Sequence, residues 1–235
     1  AEEKASLFDT RVFDTAEELI EAVDVVYVLT NMETHHAYCM QAIEAGKHVL
    51  VEKPTAVTIE EIEEIKAFAH QKGVQVAPVH NYIYEAPVMR AKELIESGKL
   101  GDLVSLHVLY NIHHPEEVAA RYPGVIRQIL THHAYCTLYL VGQPELVSCM
   151  KATVNDGSVP QENLAMVTMK MRNQALSHLC ASFAADDHAG DPWTFMIKVI
   201  GTKGATRYSY RDWVENTPAV VHSQTYSAYP YTIRS

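Results

Sequence analysis

The chain has 235 residues, of which 48% are hydrophobic and 20% are charged, so it is long enough for one large globular domain or two smaller ones. Its 19 Lys and Arg against 29 Asp and Glu give a net charge of -10, which disfavours nucleic acid and anionic membranes as partners. No apolar run approaches the roughly 18 residues of a membrane span, and the charged start lacks the apolar core of a signal peptide. We therefore expect a cytoplasmic protein that binds neither nucleic acid nor membrane.

The cysteines and histidines give no metal or disulfide pattern. The four cysteines are far apart and form no CxxC pair, so neither a disulfide framework nor a zinc ribbon is predicted. Three pairs of adjacent histidines also fail to predict a metal site, because neighbouring residues diverge on helices and strands alike. These pairs are His35–His36, His113–His114 and His132–His133.

The first 80 residues alternate between strand and helix patterns. The apolar run DVVYVLT, from Asp24 to Thr30, predicts a strand buried on both faces. A helix is expected over about Thr34–Ala45, a short strand over His48–Val51, and a second helix that starts after a Thr58–Glu61 capping box. That helix should end near Gly73, before the strand VQVAPVH. Such alternation with short connections predicts the doubly wound α/β class with a parallel sheet.

Beyond His80 the pattern changes to helices followed by many strands. Helices are expected over about Pro87–Ser97 and Gly124–Val141, with a strand over Leu103–His113 between them. Later runs alternate partly and are separated by turn-forming pairs, which suits an antiparallel sheet with one face against helices. These runs are Leu146–Val154, Leu164–Met171, Ala175–Phe183, Phe195–Gly201 and Ala205–Tyr210. We place a domain boundary near residue 80.

The segment DVVYVLTNMETHHAYCMQAIEAGKHVLVEKP, from Asp24 to Pro54, resembles the glucose-fructose oxidoreductase, inositol dehydrogenase and rhizopine-catabolism (Gfo/Idh/MocA) family of dinucleotide-dependent oxidoreductases. The similarity continues through ELIESGKLGDLVS, YLVGQPELV and VIGTKGATRYSY. It implies a partial Rossmann doubly wound parallel sheet in residues 1–80 that binds the dinucleotide. An α+β domain with a mostly antiparallel sheet should follow in residues 81–235, for substrate binding and oligomerisation. NAD or NADP is the implied cofactor, and a homodimer or homotetramer the implied assembly.

The resemblance assigns cofactor-binding residues to the turns after the first two strands. Both turns open at the carboxyl edge of a parallel sheet, where doubly wound folds bind ligands. Glu52 is expected to accept hydrogen bonds from ribose hydroxyls, and Lys53 to contact a substrate hydroxyl and stabilise the developing oxyanion. For this dipeptide alone, a solvated charge pair is the alternative. The implied set is Thr30, Asn31 in place of the family's usual Pro, His35, Glu52, Lys53, Pro54 with a cis bond, and Asn81.

A second motif lies on the expected long helix. The family has a His ten residues before the closing Gly, with one Asp four residues before that His and another three after it. Counting back from Gly142 gives His132, with Gln128 and Tyr135 in place of the carboxylates. An imidazole titrates near neutral pH, so His132 is expected to take the hydroxyl proton. His133 competes for this role if the register differs by one. The implied substrate-binding set is Lys53, Tyr82, Gln128, His132, His133 and Tyr135.

A polar segment and the two ends of the chain lie outside these motifs. The polar segment ASFAADDHAGDPW, with Asp186, Asp187, His188 and Trp193, is expected either to line a sugar pocket or to form an acidic surface loop. The chain contains no GxGxxG motif, begins with Ala and ends without a helix-closing signal. We therefore expect both ends to be truncated, with the residue that separates NAD from NADP outside the sequence.

The resemblance implies an NAD(P)-dependent oxidoreductase that moves hydride between nicotinamide and a secondary hydroxyl or ketone of a sugar, polyol or glycoside. The resemblance favours carbon 3 of a glycoside, with Lys53 and His132 as the catalytic residues. Two alternatives stay open. One is an NAD-dependent glycosidase of the same fold that acts by transient oxidation and elimination. The other is a non-catalytic dinucleotide-binding or assembly subunit, which the absent carboxylates at Gln128 and Tyr135 suggest.

Overall fold

The computed structural model describes residues 2–154, 161–184, 194–209, 212–217 and 220–225. Residue contacts divide the chain into two compact units, Ala1–Val79 and His80–Ser235. The polar segment with Asp186, Asp187, His188 and Trp193 lies outside the described residues. The assignment of one unit to the dinucleotide and the other to substrate and assembly stays a prediction.

The first unit is a three-stranded parallel sheet with helices between its strands, which confirms the predicted α/β class. The sheet order is β1-β2-β3. The strands are β1 (Val25–Val28), β2 (His48–Val51) and β3 (Val76–Pro78). The helices are α1 (Glu2–Leu7), α2 (Ala16–Glu21), α3 (Met32–Glu44) and α4 (Ile59–Lys72).

Local signals explain where α4 begins and ends. The Thr58 hydroxyl accepts a hydrogen bond from the Glu61 amide at 3.2 Å, and the Glu61 carboxylate accepts one from the Thr58 amide at 3.2 Å. This pair is the predicted capping box, which satisfies amides that the first helical turn leaves without partners. Gly73 ends the helix with φ 69°, a left-handed conformation that glycine adopts without steric cost.

Strand β1 differs from its prediction. Val26 and Val28 are buried in the core of the first unit, but Val25 and Tyr27 are 54% and 45% exposed. The expectation of burial on both faces is wrong for this strand, because only the face with Val26 and Val28 packs against the core. Its apolar run therefore has the alternation of a half-buried strand.

The second unit is built on an eight-stranded sheet in the order β11-β10-β9-β8-β4-β7-β6-β5. Neighbouring strands are antiparallel except β4 and β7, which confirms the predicted mostly antiparallel sheet. The strands are β4 (Leu103–Asn111), β5 (Pro144–Ala152), β6 (Leu164–Met171), β7 (Leu176–Ser182), β8 (Thr194–Gly201), β9 (Ala205–Ser209), β10 (Asp212–Thr217) and β11 (Val220–Thr225). The described helices are a 3-10 helix (Asn81–Tyr84), α5 (Ala86–Glu96), α6 (Glu116–Ala119), a π-helix (Ile126–Leu130) and α7 (Thr131–Val141).

The predicted long helix over Gly124–Val141 is interrupted. Its first part, Ile126–Leu130, is a π-helix, and only Thr131–Val141 is a regular α-helix. The wider π turn changes the angular spacing between Gln128 and His132. Only His132 and Tyr135, both within the α-helix, keep the α-helical spacing that places side chains on one side. Single π turns inside helices are frequent at functional sites.

The sheet of the second unit separates a covered face from an open one. On β8, Phe195, Ile197 and Val199 are buried in the core with helix residues such as Leu94 and Leu140. The alternate residues of the sheet lie on the opposite face, which we call the open face. Within the described ranges, no helix is long and apolar enough to cross a bilayer.

Candidate active site

In the first unit, the predicted cofactor residues lie on two loops at the carboxyl ends of β1 and β2. Thr30 and Asn31 follow β1, and Asn31 is the N-cap of α3. Glu52 continues the pairing beyond β2, since its amide donates to the Val28 carbonyl at 3.0 Å. Both loops therefore open at the same edge of the sheet, where doubly wound folds bind ligands.

The His35 side chain connects these two loops. Its Nδ1 lies 2.8 Å from the Pro54 carbonyl oxygen and its Nε2 3.0 Å from the Thr30 carbonyl oxygen. Both partners are acceptors, so both nitrogens donate only when the ring carries two protons. The side chain is 1% exposed. The buried ring ties the two loops together, and a contact of His35 with the cofactor stays a prediction.

Glu52 is held by two donors on its own unit. Its Oε1 accepts from the Tyr27 hydroxyl at 3.0 Å, and its Oε2 accepts from the Lys53 amide at 3.1 Å. Partial burial, and then the Glu52 carboxylate, raise the pKa of the Tyr27 hydroxyl, which therefore stays a donor. Sequence analysis missed Tyr27; its position on the strand adjacent to β2 was the available signal. The carboxylate keeps acceptor capacity for a ligand hydroxyl.

Lys53 lies next to Glu52 and is half-buried. Burial lowers the pKa of its ammonium group, and the Glu52 carboxylate opposes part of that shift. An ammonium with a lowered pKa gives up its proton more readily than an exposed one. The Lys53–Pro54 peptide bond is cis, as expected for this turn.

In the second unit, three side chains form a hydrogen-bonded chain between the 3-10 helix and α7. His132 Nδ1 lies 2.7 Å from the Tyr135 hydroxyl oxygen, and that hydroxyl donates to Asn81 Oδ1 at 3.1 Å. The hydroxyl oxygen also accepts from the Tyr82 amide at 3.2 Å. His132 and Tyr135 are buried, and their spacing of three residues puts them on the same side of α7.

Two aromatic rings pack around this chain. The His80 ring stacks on Tyr135 with centroids 4.3 Å apart, and the Tyr82 ring tilts against His132 at 4.6 Å. Burial lowers the pKa of His80, which favours its neutral form. Sequence analysis missed His80, although it closes the segment VQVAPVH directly before Asn81. These rings restrict the orientation of the His132 imidazole.

The structure separates His133 from this cluster. Its ring is fully buried, and neither of its nitrogens has a hydrogen-bond partner among the residues that the structure describes. Burial lowers its pKa to about 3, so the ring is neutral. His133 thus lies in the core, and its competition with His132 for the hydroxyl proton stays a prediction. Gln128 is half-buried on the π-helix.

The two units thus offer different chemistry. The first presents a held carboxylate, a half-buried ammonium and the exposed Asn31, all at the edge of a parallel sheet. The second presents an oriented imidazole with a phenol and an amide behind it. The described ranges bring no group of three metal-binding side chains together.

Comparison with known families gives two matches that cover most of the chain. Residues 1–80 match the model of an oxidoreductase family with an NAD-binding Rossmann fold, GFO_IDH_MocA. Residues 88–207 match the GFO/IDH/MocA C-terminal domain.

Individual relatives include two curated enzymes of Bacillus subtilis (strain 168). The chain is 35% identical to scyllo-inositol 2-dehydrogenase (NADP(+)) over 156 residues, which are 63% of the chain and 43% of that enzyme. It is 24% identical to glucose-6-phosphate 3-dehydrogenase over 225 residues, which are 88% of the chain and 63% of that enzyme. The chain therefore spans about half the length of these curated relatives.

Among solved structures, levoglucosan dehydrogenase in complex with NADH and levoglucosan has a TM-score of 0.85 and 22% sequence identity. The match covers 96% of this chain and 68% of that one. At this level of identity the likeness concerns the fold.

Proposed function

The chain belongs to the GFO/IDH/MocA oxidoreductase family, and on that premise we propose that it is an NAD(P)-dependent oxidoreductase. It moves hydride between nicotinamide and a secondary hydroxyl or ketone of a sugar or polyol. The observation that carries this proposal is the buried His132 imidazole, oriented by the Tyr135 hydroxyl at 2.7 Å. A positioned imidazole is the usual base for removing a hydroxyl proton near neutral pH.

The first unit has the chemistry to hold the dinucleotide. NAD or NADP, when bound, supplies the hydride acceptor. Glu52 offers carboxylate oxygens to ribose hydroxyls, and the bonds from Tyr27 and the Lys53 amide keep that carboxylate in place. Asn31 is exposed and its side chain makes no capping bond, so its amide is available to the same ligand. Thr30 and Pro54 shape the two loops.

His132 and Lys53 handle the proton. As hydride leaves the carbinol carbon, the hydroxyl proton passes to His132 and the oxygen develops carbonyl character. The Lys53 ammonium stabilises the negative charge that builds on this oxygen. The alcohol is thereby oxidised by two electrons to a ketone, with one proton left on the protein. Tyr82 and Gln128 are proposed contacts to the substrate.

The substrate class is supported by the names of the relatives, which act on an inositol, glucose 6-phosphate and levoglucosan. We propose carbon 3 of a sugar or glycoside as the position of oxidation. The support is the relative named a 3-dehydrogenase, which aligns with 88% of the chain.

A substrate panel tests the function with the complete gene product that contains these residues. NADH or NADPH formation is followed with scyllo-inositol, glucose 6-phosphate, levoglucosan and simple glycosides. The proposal expects cofactor reduction that depends on one of these compounds, with a 3-ketone among the products. Release of an aglycone without net NADH would instead indicate the glycosidase alternative. Tight nucleotide binding without turnover across the panel would indicate a binding or assembly subunit.

Self-association is proposed through the open face of the eight-stranded sheet. Four apolar side chains on this face are well exposed: Leu146 at 64%, Met150 at 75%, Met166 at 41% and Leu176 at 53%. Cross-strand pairing places Met150 beside Met166 on β5 and β6, so these side chains form part of one surface. The exposed apolar surface of this neighbouring pair favours an interface. A dimer or tetramer built through this face is the proposed assembly.

A further inference from the structure

We infer that a row of four basic side chains on the open face of the eight-stranded sheet binds a small anion that carries two phosphate groups. The row, which we call the basic row, consists of His178, His107, Lys198 and Arg207. These residues lie on β7, β4, β8 and β9, which are neighbours in the sheet. The inference is independent of the proposed oxidoreductase function, because Tyr135 and its surroundings belong to the core on the covered face.

The pairing of the strands brings the four side chains next to one another. His107 pairs with His178 on one side and with Lys198 on the other, and Lys198 pairs with Arg207. Both neighbours of His107 in the chain are buried in the core, so His107 itself lies on the open face. Because neighbouring strands are about 4.8 Å apart, the basic row is roughly 14 Å long.

The basic row has an energetic cost, because like charges directly opposite one another destabilise a sheet. Burial lowers the pKa of the His107 imidazole, and the charges of His178 and Lys198 lower it further. On β6 of the same sheet, by contrast, the Lys170 ammonium lies 3.2 Å from the Glu145 carboxylate, which balances its charge. A bound anion would balance the charges of the basic row in the same way.

The basic row lines a cavity of about 460 Å³. This volume lies within the range of roughly 300 to 1,000 Å³ that is usual for small-molecule sites. The described residues of the lining include no Asp or Glu. His107 and Lys198 are half-buried, and the Ser105 hydroxyl oxygen lies 3.1 Å from His107 Nε2, a contact that orients the ring. The cavity therefore has the size and the donors of a site for a small anion.

The donors favour phosphate groups among the possible anions. A phosphate group brings up to two negative charges and three acceptor oxygens, whereas a carboxylate brings one charge and two oxygens. The guanidinium of Arg207 has the planar geometry that binds phosphate through two parallel hydrogen bonds, and Lys198 adds a point charge. The length of the row leaves room for two phosphate groups, one at each pair of basic side chains. The net charge of -10 disfavours a long nucleic acid at this site.

Calorimetry with pyrophosphate as the probe tests the site in the complete gene product. Saturating NAD or NADP is present, so that pyrophosphate cannot bind in the place of the dinucleotide. Lys198→Gln should raise the Kd for pyrophosphate about 10- to 100-fold, because a charge-assisted hydrogen bond is lost. Lys170→Gln is the matched control, since Lys170 is already paired with Glu145, and its Kd should stay within about twofold of the wild-type value.

Two further measurements locate the ligand and verify the fold. The proton NMR signals of the His107 and His178 rings, identified by their loss in His107→Gln and His178→Gln, should shift when pyrophosphate is added to the wild type. Thermal unfolding without pyrophosphate should give similar midpoints for the wild type, Lys198→Gln and Lys170→Gln. If Lys198→Gln does not fold, His107→Gln takes its place in the calorimetry and should also raise the Kd.

Several outcomes would overturn the inference. An unchanged Kd in Lys198→Gln contradicts it, and so does the absence of binding up to about 1 mM pyrophosphate. Equal Kd values for pyrophosphate and citrate would overturn the assignment to phosphate, and tighter binding of a DNA duplex would indicate a general surface for polyanions. If the wild type binds none of these anions and Lys198→Gln has a smaller mass in light scattering, the basic row is a contact between copies of the chain and not a ligand site.

Discussion

The Nδ1 atom of His132 lies 2.7 Å from the hydroxyl oxygen of Tyr135, three residues further along α7. Tyr135 stands where the family pattern has a carboxylate, and it is buried under the stacked ring of His80. A phenol can hold an imidazole by a hydrogen bond but brings no charge to it. The missing carboxylate is therefore replaced by another positioning group, which favours an enzyme over a binding subunit.

Tyr135→Phe should lower kcat about 10- to 100-fold, because the imidazole loses the bond that orients it while the ring stack is kept. Loss of a minor contact changes a Kd by roughly threefold at most. The Kd for NAD should therefore stay within about threefold of the wild-type value. Steady-state kinetics and calorimetry measure the two quantities. Tyr139→Phe, on the same helix, is the matched control and should be neutral. Equal effects of the two substitutions would argue against a special role for Tyr135.

The Tyr27–Glu52 bond predicts an effect on cofactor affinity. Tyr27→Phe removes the 3.0 Å bond to the Glu52 carboxylate, which is then less well placed for a ribose hydroxyl. A typical hydrogen bond contributes about 1 kcal/mol, so the Kd for NAD or NADP should rise about fivefold. The value of kcat at saturating cofactor should be kept. Tyr38→Phe, on α3 of the same unit, serves as the control, and an identical Kd in all three proteins would refute the role given to Glu52.

His133 predicts a loss of stability in acid. Its pKa is about 3 in the fold and 6.5 in the unfolded reference, so the unfolded chain binds a proton that the folded chain does not. The fold therefore loses stability as the pH falls below 6.5 and continues to lose it until about 3. At one pH unit below the unfolded value, the loss is about 1.4 kcal/mol.

Urea unfolding of the wild type and of His133→Leu measures this contribution. The free energy of unfolding of His133→Leu should fall less between neutral and mildly acidic pH than that of the wild type. His70→Leu, which removes an exposed histidine, should behave like the wild type. The assignment is wrong if His133→Leu and the wild type share the same pH dependence.

The open face of the sheet predicts the assembly. Met166→Glu places a charge beside Met150 in the exposed apolar surface, which should dissociate the oligomer because an unpaired charge is costly to bury. Light scattering after size exclusion should show a smaller mass for this variant than for the wild type. Ile59→Glu changes a side chain that is 74% exposed on the first unit and should leave the mass unchanged. If the wild type has the mass of a monomer, the proposed assembly is wrong.

The features that sequence analysis predicted correctly depend on local signals. The capping box at Thr58 and Glu61 and the left-handed Gly73 are encoded within one turn of chain, and they gave the limits of α4. The alternation of strand runs likewise gave the mostly antiparallel sheet. Such patterns can be recognised in a sequence because each depends on residues that are close in the chain.

The features that it did not predict depend on pairing and packing at a distance. The exposure of Tyr27 depends on which face of β1 packs against the core, and its bond to Glu52 requires the adjacent strand. The contacts of His35 with two carbonyl groups require both loops to be in place. The bond between Tyr135 and Asn81 joins residues 54 positions apart, which no local pattern reveals.

Turnover in three proteins tests the proposed catalytic roles most directly: the wild type, Lys53→Met and His132→Gln. Substrate-dependent reduction of NAD or NADP gives kcat, and calorimetry gives the Kd for the cofactor. Each substitution should lower kcat by about 10²- to 10⁴-fold, because a proton-handling group is lost, and should change the Kd for the cofactor much less. Unchanged turnover in either variant would contradict the proton-handling roles of Lys53 and His132.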